Sequence, residues 1–341
     1  MALSLSFPVV TRNVLVSLTL LAGLGASGLA QAQKPAGLPG NYPSKPVYVI
    51  IPVDPGGGTD QLGRLLFNKM GAMWNSTFIV ENTPAAGGIV AMNKMAESAP
   101  DGYFLAFASS ATYLRAAYVT EIVKWDPRTV FVAIAGVSKS TMLLGASLGA
   151  PFGNFREMIA YAKANPNQLS YAGTAVGSAG HLVAEQIWSE TGVKIRHIPY
   201  KGISAAMADV IPGRVPLAMS SVAALKSHVV AGKIRLMGVT SIERVESAPD
   251  FNTLDEAGLK GFDYAGWFGL VGPAKTPPAI VAALNKATND ILRTPDMKAA
   301  MAKMGADQMI ATQEYFQKYV VNALDNAGRV IQQTGVKLGG E

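Results

Sequence analysis

Two hydrophobic patterns alternate along this chain, one with the period of a strand and one with the period of a helix. VYVIIPV (47–53) is a short β-branched run that PGGG (55–58) interrupts. In TDQLGRLLFNKMG (59–71), Leu62, Leu65, Leu66 and Met70 then fall at helical spacing, with Gly71 as the stop. A strand at FIVEN (78–82), a glycine turn at PAAGG (84–88), a helix near 89–98 and a strand at YFLAFA (103–108) follow. After a strand near 130–137 and a helix near 155–164, the pattern returns. LSYAG (169–173) reads as a strand, TAVGSAG (174–180) as a glycine loop, and HLVAEQIWSETG (181–192) as a helix ending at Gly192. IRHIPY (195–200), a helix near 203–211, and strands near 215–220 and at 234–240 complete this second set, and YAGWFGLVGP (264–273) is a further strand. Helices near 277–293, 296–304 and 313–334 close the chain. The last carries Phe316, Tyr319, Val320, Ala323, Leu324, Ala327, Val330 and Ile331 as one apolar stripe, the ordinary mark of core packing. Strand–helix alternation predicts an α/β fold with mainly parallel sheets covered on both faces, and 341 residues leave room for two such units.

The first segment breaks this rhythm. Arg12 precedes the apolar run NVLVSLTLLAGLGASGLA, and Ala30-Gln31-Ala32 supplies small residues at an A-x-A site, so 1–32 reads as a cleavable signal peptide. The competing reading is a membrane anchor, which the glycines in the second half of the run weaken. No later stretch reaches ~18 uninterrupted apolar residues, so an exported, soluble protein is expected.

Composition narrows the chemistry. Hydrophobic residues make up 49% and charged residues 15%, too apolar a mixture for a disordered chain. Cysteine is absent, which excludes a disulfide scaffold, a cysteine metal site, a thiol nucleophile and a lipidated cysteine. The net charge of +6 is scattered without a basic block, so no nucleic-acid partner is expected. The three histidines lack H-x-x-x-H spacing and no G-x-S-x-G is present; neither a metal site, a catalytic set nor a cofactor is expected.

Two loops carry the candidate site. VDPGGGTD (53–60) and GTAVGSAGH (173–181) each run from a strand end through glycines into a helix start. The first amides of a helix have no intrahelical partner and carry the positive end of its dipole, so such a loop can cradle an anion. Glycine lets the ligand approach the backbone, and Thr59, Thr174 and Ser178 add hydroxyls. Taken singly, either loop is also an ordinary capped turn, and neither fits G-x-G-x-x-G or a phosphate-binding GK[ST] loop. One loop in each α/β half suggests two lobes clamping one small anion.

At this point a resemblance becomes specific. YPSKPVYVIIPVDPGGGTDQLGR, VENTPAAGGIVAMNKMAESAPDGYFL, GTAVGSAGHLVAEQI, HIPYKGISAAMADVIPGRV and YAGWFGLVGPAKTPPAIVAALN resemble, in order, the Bug-type solute-binding proteins of tripartite tricarboxylate transporters. The likeness runs from about Tyr42 to the C-terminus. It implies a two-lobed periplasmic-binding-protein fold of the type II, Venus-flytrap kind with two crossover strands. Lobe one would be 45–136 plus 265–341, and lobe two 137–264. It further implies a monomer that binds a small organic carboxylate and delivers it to membrane components of the transporter. Carried over by motif, the resemblance nominates Gly57, Gly58, Thr59 and Asp60 in lobe one. In lobe two it nominates Thr174, Ala175, Gly177, Ser178 and His181. Ser109, Ser110 and Thr112, in the loop after YFLAFA, would line a more variable distal side.

The chain departs from the family's pattern at Val53-Asp54, where an aromatic and a small residue are common. An ionised Asp54 about 5 Å from a ligand carboxylate would cost about 3 kcal/mol at an effective dielectric near 20. Asp54 is therefore expected either to accept a hydrogen bond from a ligand hydroxyl, amine or ring N–H, or to face solvent. Against the binding protein stand two other function classes: an exported sensor signalling to a membrane partner through the same site, and a carboxylate-processing enzyme, which would need Asp54 and His181 to pair across a closed cleft.

Overall fold

The computed structural model describes residues 38–118, 123, 125–174, 176 and 178–335. The leader expected over 1–32 lies outside these residues.

The alternation seen in the sequence builds two α/β lobes on one continuous sheet. In the first, β1 (Val47–Ile51) feeds α1 (Gly58–Trp74), β2 (Phe78–Asn82) feeds α2 (Ile89–Ala96), and β3 (Phe104–Ser109) feeds α3 (Ser110–Tyr118). A single turn of helix, α4 (Pro127–Val130), leads into β4 (Phe131–Ser147), a 17-residue strand that crosses into the second lobe. There α5 (Phe155–Ala164) precedes three strand–helix units: β5 (Ser170–Gly173) with α6 (Ala179–Thr191), β6 (Arg196–Pro199) with α7 (Ile203–Val210), and β7 (Leu217–Ser221) with α8 (Val222–Val230). After β8 (Ile234–Val239), the chain returns along β9 (Ala265–Pro273) to α9 (Pro278–Leu292), α10 (Pro295–Lys303), the short β10 (Asp307–Gln308) and α11 (Gln313–Thr334).

The strand order is β2-β1-β3-β9-β4-β7-β5-β6, with β8 and β10 both pairing β4. Strands β1 to β3 are mutually parallel, as are β5 to β7, whereas β4 and β9 run antiparallel to their neighbours. The first half of β4 pairs β9 and its second half pairs β7 and β8, so β4 belongs to both lobes. Register shifts between Ala133 and Ala135 and between Gly136 and Ser138 twist it on the way. Both lobes thus present the C-terminal ends of parallel strands, and the helix starts that follow, to the space between them.

Each lobe buries apolar side chains on both faces of its sheet. Leu66, Phe67 and Met70 of α1 pack with Leu284 and Ile291 of α9 under one face of the first lobe, while Met92, Tyr113, Phe316 and Leu324 fill the other. In the second lobe, Met158, Ile187 and Trp188 lie on one face, and Met207 and Leu225 on the other. The stripe on α11 packs as its spacing predicts, with Phe316, Val320, Leu324, Ala327 and Val330 buried. Trp267 of β9 is buried too, edge-on to both Tyr113 and Phe316.

Four local expectations change. Helix α1 runs past Gly71 and ends where Asn75 turns left-handed (φ 46°), with Ser76 N–H donating back to Gly71 O at 3.0 Å. A side chain at Gly71 would meet Ser76 O at 2.9 Å, so this glycine admits the fold-back without ending the helix. Residues 110–118, expected to begin as a loop, form α3. Residues 222–230 form α8, whose mostly apolar segment VAALKSHVV hides any clean period. Strand β4 continues ten residues beyond the predicted end: its second half is poor in β-branched residues, but pairing with β7 and β8 holds it extended.

Candidate ligand-binding cleft

The loop between β1 and α1 is organised by one carboxylate. Asp60, buried at 3% exposure, accepts from Gly56 N–H at 2.8 Å, Arg64 Nε at 2.9 Å and Asn82 Nδ2 at 2.9 Å. Asn82 Nδ2 also donates to Val53 O, so the strand end, the loop and the helix are tied to one point. Burial alone would raise the Asp60 carboxyl, but the hydrogen bonds from Gly56, Asn82 and Arg64 outweigh it and hold the group below the usual carboxylate range. Gly56 adopts φ +87°, which glycine tolerates and other residues resist. Gly57 is the N-cap of α1 and has no side chain to cap with, so the amides of Gly58 and Thr59 are left without a capping group. A Cβ on Gly58 would meet no atom within 4 Å. Asp54 is exposed, and its carboxylate bonds to none of the described residues.

The second loop, unlike the first, has a side-chain cap at its helix. Ser178 caps α6, its Oγ accepting from His181 N–H at 3.3 Å. Thr174 and Ser178 are half-buried, Val176 at the tip is 59% exposed, and Ala175 and Gly177 lie outside the described residues. The His181 ring is buried and stacked on His197 (4.3 Å between centroids), which in turn stacks on Tyr171 (4.9 Å). A side chain at Gly173 would strike His197 Nε2 at 2.7 Å, so glycine is needed there for packing. Burial lowers the His181 imidazole, and burial together with the neighbouring His181 lowers His197 to about 4. Both rings are therefore neutral at neutral pH. His181 supports the base of the loop as a packed ring, with Glu185 Oε1 3.8 Å from its Nε2.

Ser109, Ser110 and Thr112 are buried where α3 begins. Ser109 Oγ lies 3.2 Å from Thr112 Oγ1 and accepts from Thr112 N–H at 3.4 Å, as a helix cap does. Ser110 Oγ accepts from Trp267 N–H at 3.3 Å, pinning α3 to the crossover strand. These hydroxyls are engaged within the protein and tie the start of α3 to β9.

Of the nominated residues, Gly58 and Thr59 open onto a cavity of about 310 Å³ between the lobes. Its floor is the crossover region, Ser138 to Thr141 and Phe268, and its outer wall is Met304 to Asp307. From lobe two it meets the start of α8, Ser221 to Ala223. This last contribution was not foreseen from sequence, although Ser221 before an apolar run is a readable cap signal. Arg64 was likewise readable as the i,i+4 partner of Asp60, whereas Asn82 is brought in only by the fold. Among the described residues there is no group of three His, Asp or Glu able to hold a metal, and no helix long and apolar enough to cross a membrane.

Comparison with known proteins agrees with this architecture. The family model described as "Tripartite tricarboxylate transporter family receptor" matches residues 63–336. Protein BugT of Bordetella pertussis is 29% identical over 298 residues, 87% of this chain and 91% of BugT. The R. palustris protein Rpa4515, solved with adipate, is 29% identical with a TM-score of 0.66, over 86% of this chain and 99% of that one. MatC from Rhodopseudomonas palustris, with bound malate, is 25% identical with a TM-score of 0.63, over 85% and 100%. A TctC solute-binding protein from Polaromonas, solved without ligand, is 27% identical and reaches 0.78 over 86% and 99%.

Proposed function

The chain belongs to the tripartite tricarboxylate transporter receptor family, and on that premise we propose that it captures a small organic carboxylate between its lobes and delivers it to the membrane components of such a transporter. The observation that carries this reading is the start of α1. A 17-residue helix directs the uncapped amides of Gly58 and Thr59 into an interlobe cavity, past glycines that present no side chain to an incoming anion. A carboxylate there gains hydrogen bonds that the protein leaves unmade, in the field of the helix dipole. The adipate and malate held by the two R. palustris proteins support the same ligand class.

In this reading Gly57, Gly58 and Thr59 contact the ligand, and Asp60 positions their backbone without touching the anion. Thr174, Ala175, Gly177 and Ser178 serve the ligand from the second lobe, with His181 buried in the first turn of α6. Ser109, Ser110 and Thr112 fix the start of α3 against β9 beside the cleft. Asp54, exposed at its rim, takes a ligand hydroxyl or amine if the ligand carries one. The lobes are taken as 45–136 plus 265–341 and 137–264, although β4 keeps its pairing with β9 through Thr141 and takes up β7 only from Met142. Export through the leader at 1–32 and residence in the periplasm as a monomer complete the assignment, and membership of a receptor family favours binding without catalysis.

A thermal-shift panel of mono-, di- and tricarboxylates, alongside neutral and cationic analogues, tests the reading. A ligand at a hundred times its dissociation constant adds about 2.7 kcal/mol to stability. For lobes of this size that moves Tm by roughly 5 °C or more. Stabilisation by neutral or cationic compounds alone would overturn it.

A further inference from the structure

Cysteine is absent, so methionine carries all the sulfur of this chain. Of the thirteen methionines among the described residues, eleven are buried at 7% exposure or less, packed into the cores of the two lobes. The two that are only half-buried are Met73, in α1, and Met304, at the end of α10. Of the thirteen, Met304 alone lines the cavity between the lobes. With Leu62, Val222 and Phe268 it forms the apolar part of the wall, in the same cavity that Gly58 and Thr59 enter.

The backbone on either side keeps Met304 there. It is the C-cap of α10, and its N–H donates to Met301 O at 3.0 Å. Gly305 then turns left-handed (φ +65°), so close to α8 that a side chain on it would meet Ala223 Cβ at 2.9 Å. Two residues further, the Asp307 carboxylate is anchored on the second lobe, accepting from Ser247 N–H at 2.9 Å and from its Oγ at 3.0 Å. Held between these anchors, the thioether stays at the cavity wall. A cavity of about 310 Å³ admits molecules the size of water, about 30 Å³ each, and so admits a small oxidant. Close packing shields the eleven buried methionines from the same reagent.

We propose that Met304 is an oxidation site, the sulfur at which a hydroperoxide turns the apolar wall of the cavity polar and so shuts off ligand capture. The sulfur takes one oxygen atom from the oxidant. The O–O bond breaks, an S–O bond forms, the sulfur gives up two electrons and, from hydrogen peroxide, water leaves. The sulfoxide oxygen accepts hydrogen bonds and donates none, and beside Leu62 and Phe268 it is costly without a donor. The uncapped amides of Gly58 and Thr59 are donors in the same cavity. The sulfoxide therefore competes for the groups that would hold a carboxylate and sets a partly negative oxygen against it. This effect on capture rests on the function proposed above; the oxidation site itself does not.

The test treats the folded protein at neutral pH with graded hydrogen peroxide, maps its peptides by mass, and measures binding of malate, adipate and citrate by calorimetry. Met304 should gain one oxygen well ahead of the buried Met301, and the best-bound of the three acids should slow that gain without slowing Met73. The oxidised protein should bind that acid at least tenfold more weakly. Met304→Leu, close in volume, should bind it within about threefold of wild type and keep that affinity through the same treatment. Met304→Gln, polar without any oxidation, should reproduce the loss. Oxidation of Met304 no faster than that of Met301 overturns the site. Affinity undiminished by oxidation of Met304, or an equal loss in treated Met304→Leu, overturns its effect on capture while leaving the carboxylate reading standing. Failure of the untreated protein to bind any carboxylate overturns that reading and the effect on capture together, and the mass map then still decides the site.

Discussion

Asp60, in the first turn of α1, reaches backward to Gly56 and accepts its amide at 2.8 Å. The contact resembles the acidic third residue of a capping box, except that here it leaves the next two helical amides unspent. Charge and geometry are thereby used to hold the loop open toward a ligand.

Replacing Asp60 with Asn should cost about 1–3 kcal/mol in urea unfolding at pH 7, since one amide cannot satisfy Gly56, Arg64 and Asn82 together. The sign with pH follows from the lowered carboxyl: its stabilisation is present above the unfolded value near 4 and disappears as pH falls through the lower folded value. The difference between wild type and Asp60→Asn should therefore be full at pH 7 and shrink in strongly acidic solution. Carboxylate affinity should fall alongside stability.

Two glycine substitutions separate backbone strain from occlusion. Gly56→Ala forces an alanine to φ +87° and should lower stability by about 1–2 kcal/mol. Gly58→Ala meets no protein atom and adds a better helix former, so its Tm should be unchanged or slightly raised. Its methyl group nevertheless occupies the approach to the amides. The thermal shift caused by the best carboxylate should shrink at least tenfold in apparent affinity, and an unchanged shift would exclude the start of α1 as the contact.

The stacked rings of Tyr171, His197 and His181 predict an acid-sensitive lobe two. Burial holds His197 neutral down to about 4, whereas an unfolded histidine takes its proton near 6.5. The unfolded state binds more protons between these values, so stability is full above about 6.5 and declines as pH falls toward 4. His197→Gln should have a lower Tm at pH 7, through lost stacking, and a flatter Tm profile between pH 7 and 4.

Most elements were legible because their hydrophobic periods are undisturbed: α5, α9 and α11 lie within a residue or two of their predicted ends. What escaped was tertiary. In α3, the buried Ser110 and Thr112 break the apolar pattern because Ser110 Oγ accepts from the crossover strand and Thr112 Oγ1 meets the hydroxyl of Ser109. Both glycine loops were visible, yet the role of Asp60 depends on Asn82, 22 positions away, and that of Gly173 on His197 in the neighbouring strand. That Ser221 of β7 and the crossover segment Ser138 to Thr141 border one cavity needed the passage of β4 between the lobes, which no local pattern encodes.

Contacts across the α10 side of the molecule bear on how the lobes move. Besides the Asp307–Ser247 pair, Lys298 meets Glu246 at 2.5 Å and Gly305 lies against Ala223, while Lys226 Nζ, within lobe two, donates to Ser247 O. Lys298 and Glu246 are 60% and 62% exposed, so their ion pair is screened and Lys298→Ala should change stability by well under 1 kcal/mol. Ser247→Ala removes the half-buried hydroxyl bond to Asp307 and should cost about 1 kcal/mol. Ser247 does not line the cavity, so any change in affinity acts through the lobes. If this strap steadies the arrangement described here, cutting it lets the lobes close at less cost, and carboxylate affinity should rise by up to about fivefold, the equivalent of 1 kcal/mol. Calorimetry on Ser247→Ala, with small-angle scattering before and after ligand, reads both effects. Weaker binding with an unchanged ligand-free scattering profile would show instead that the strap belongs to the closed, ligand-holding arrangement.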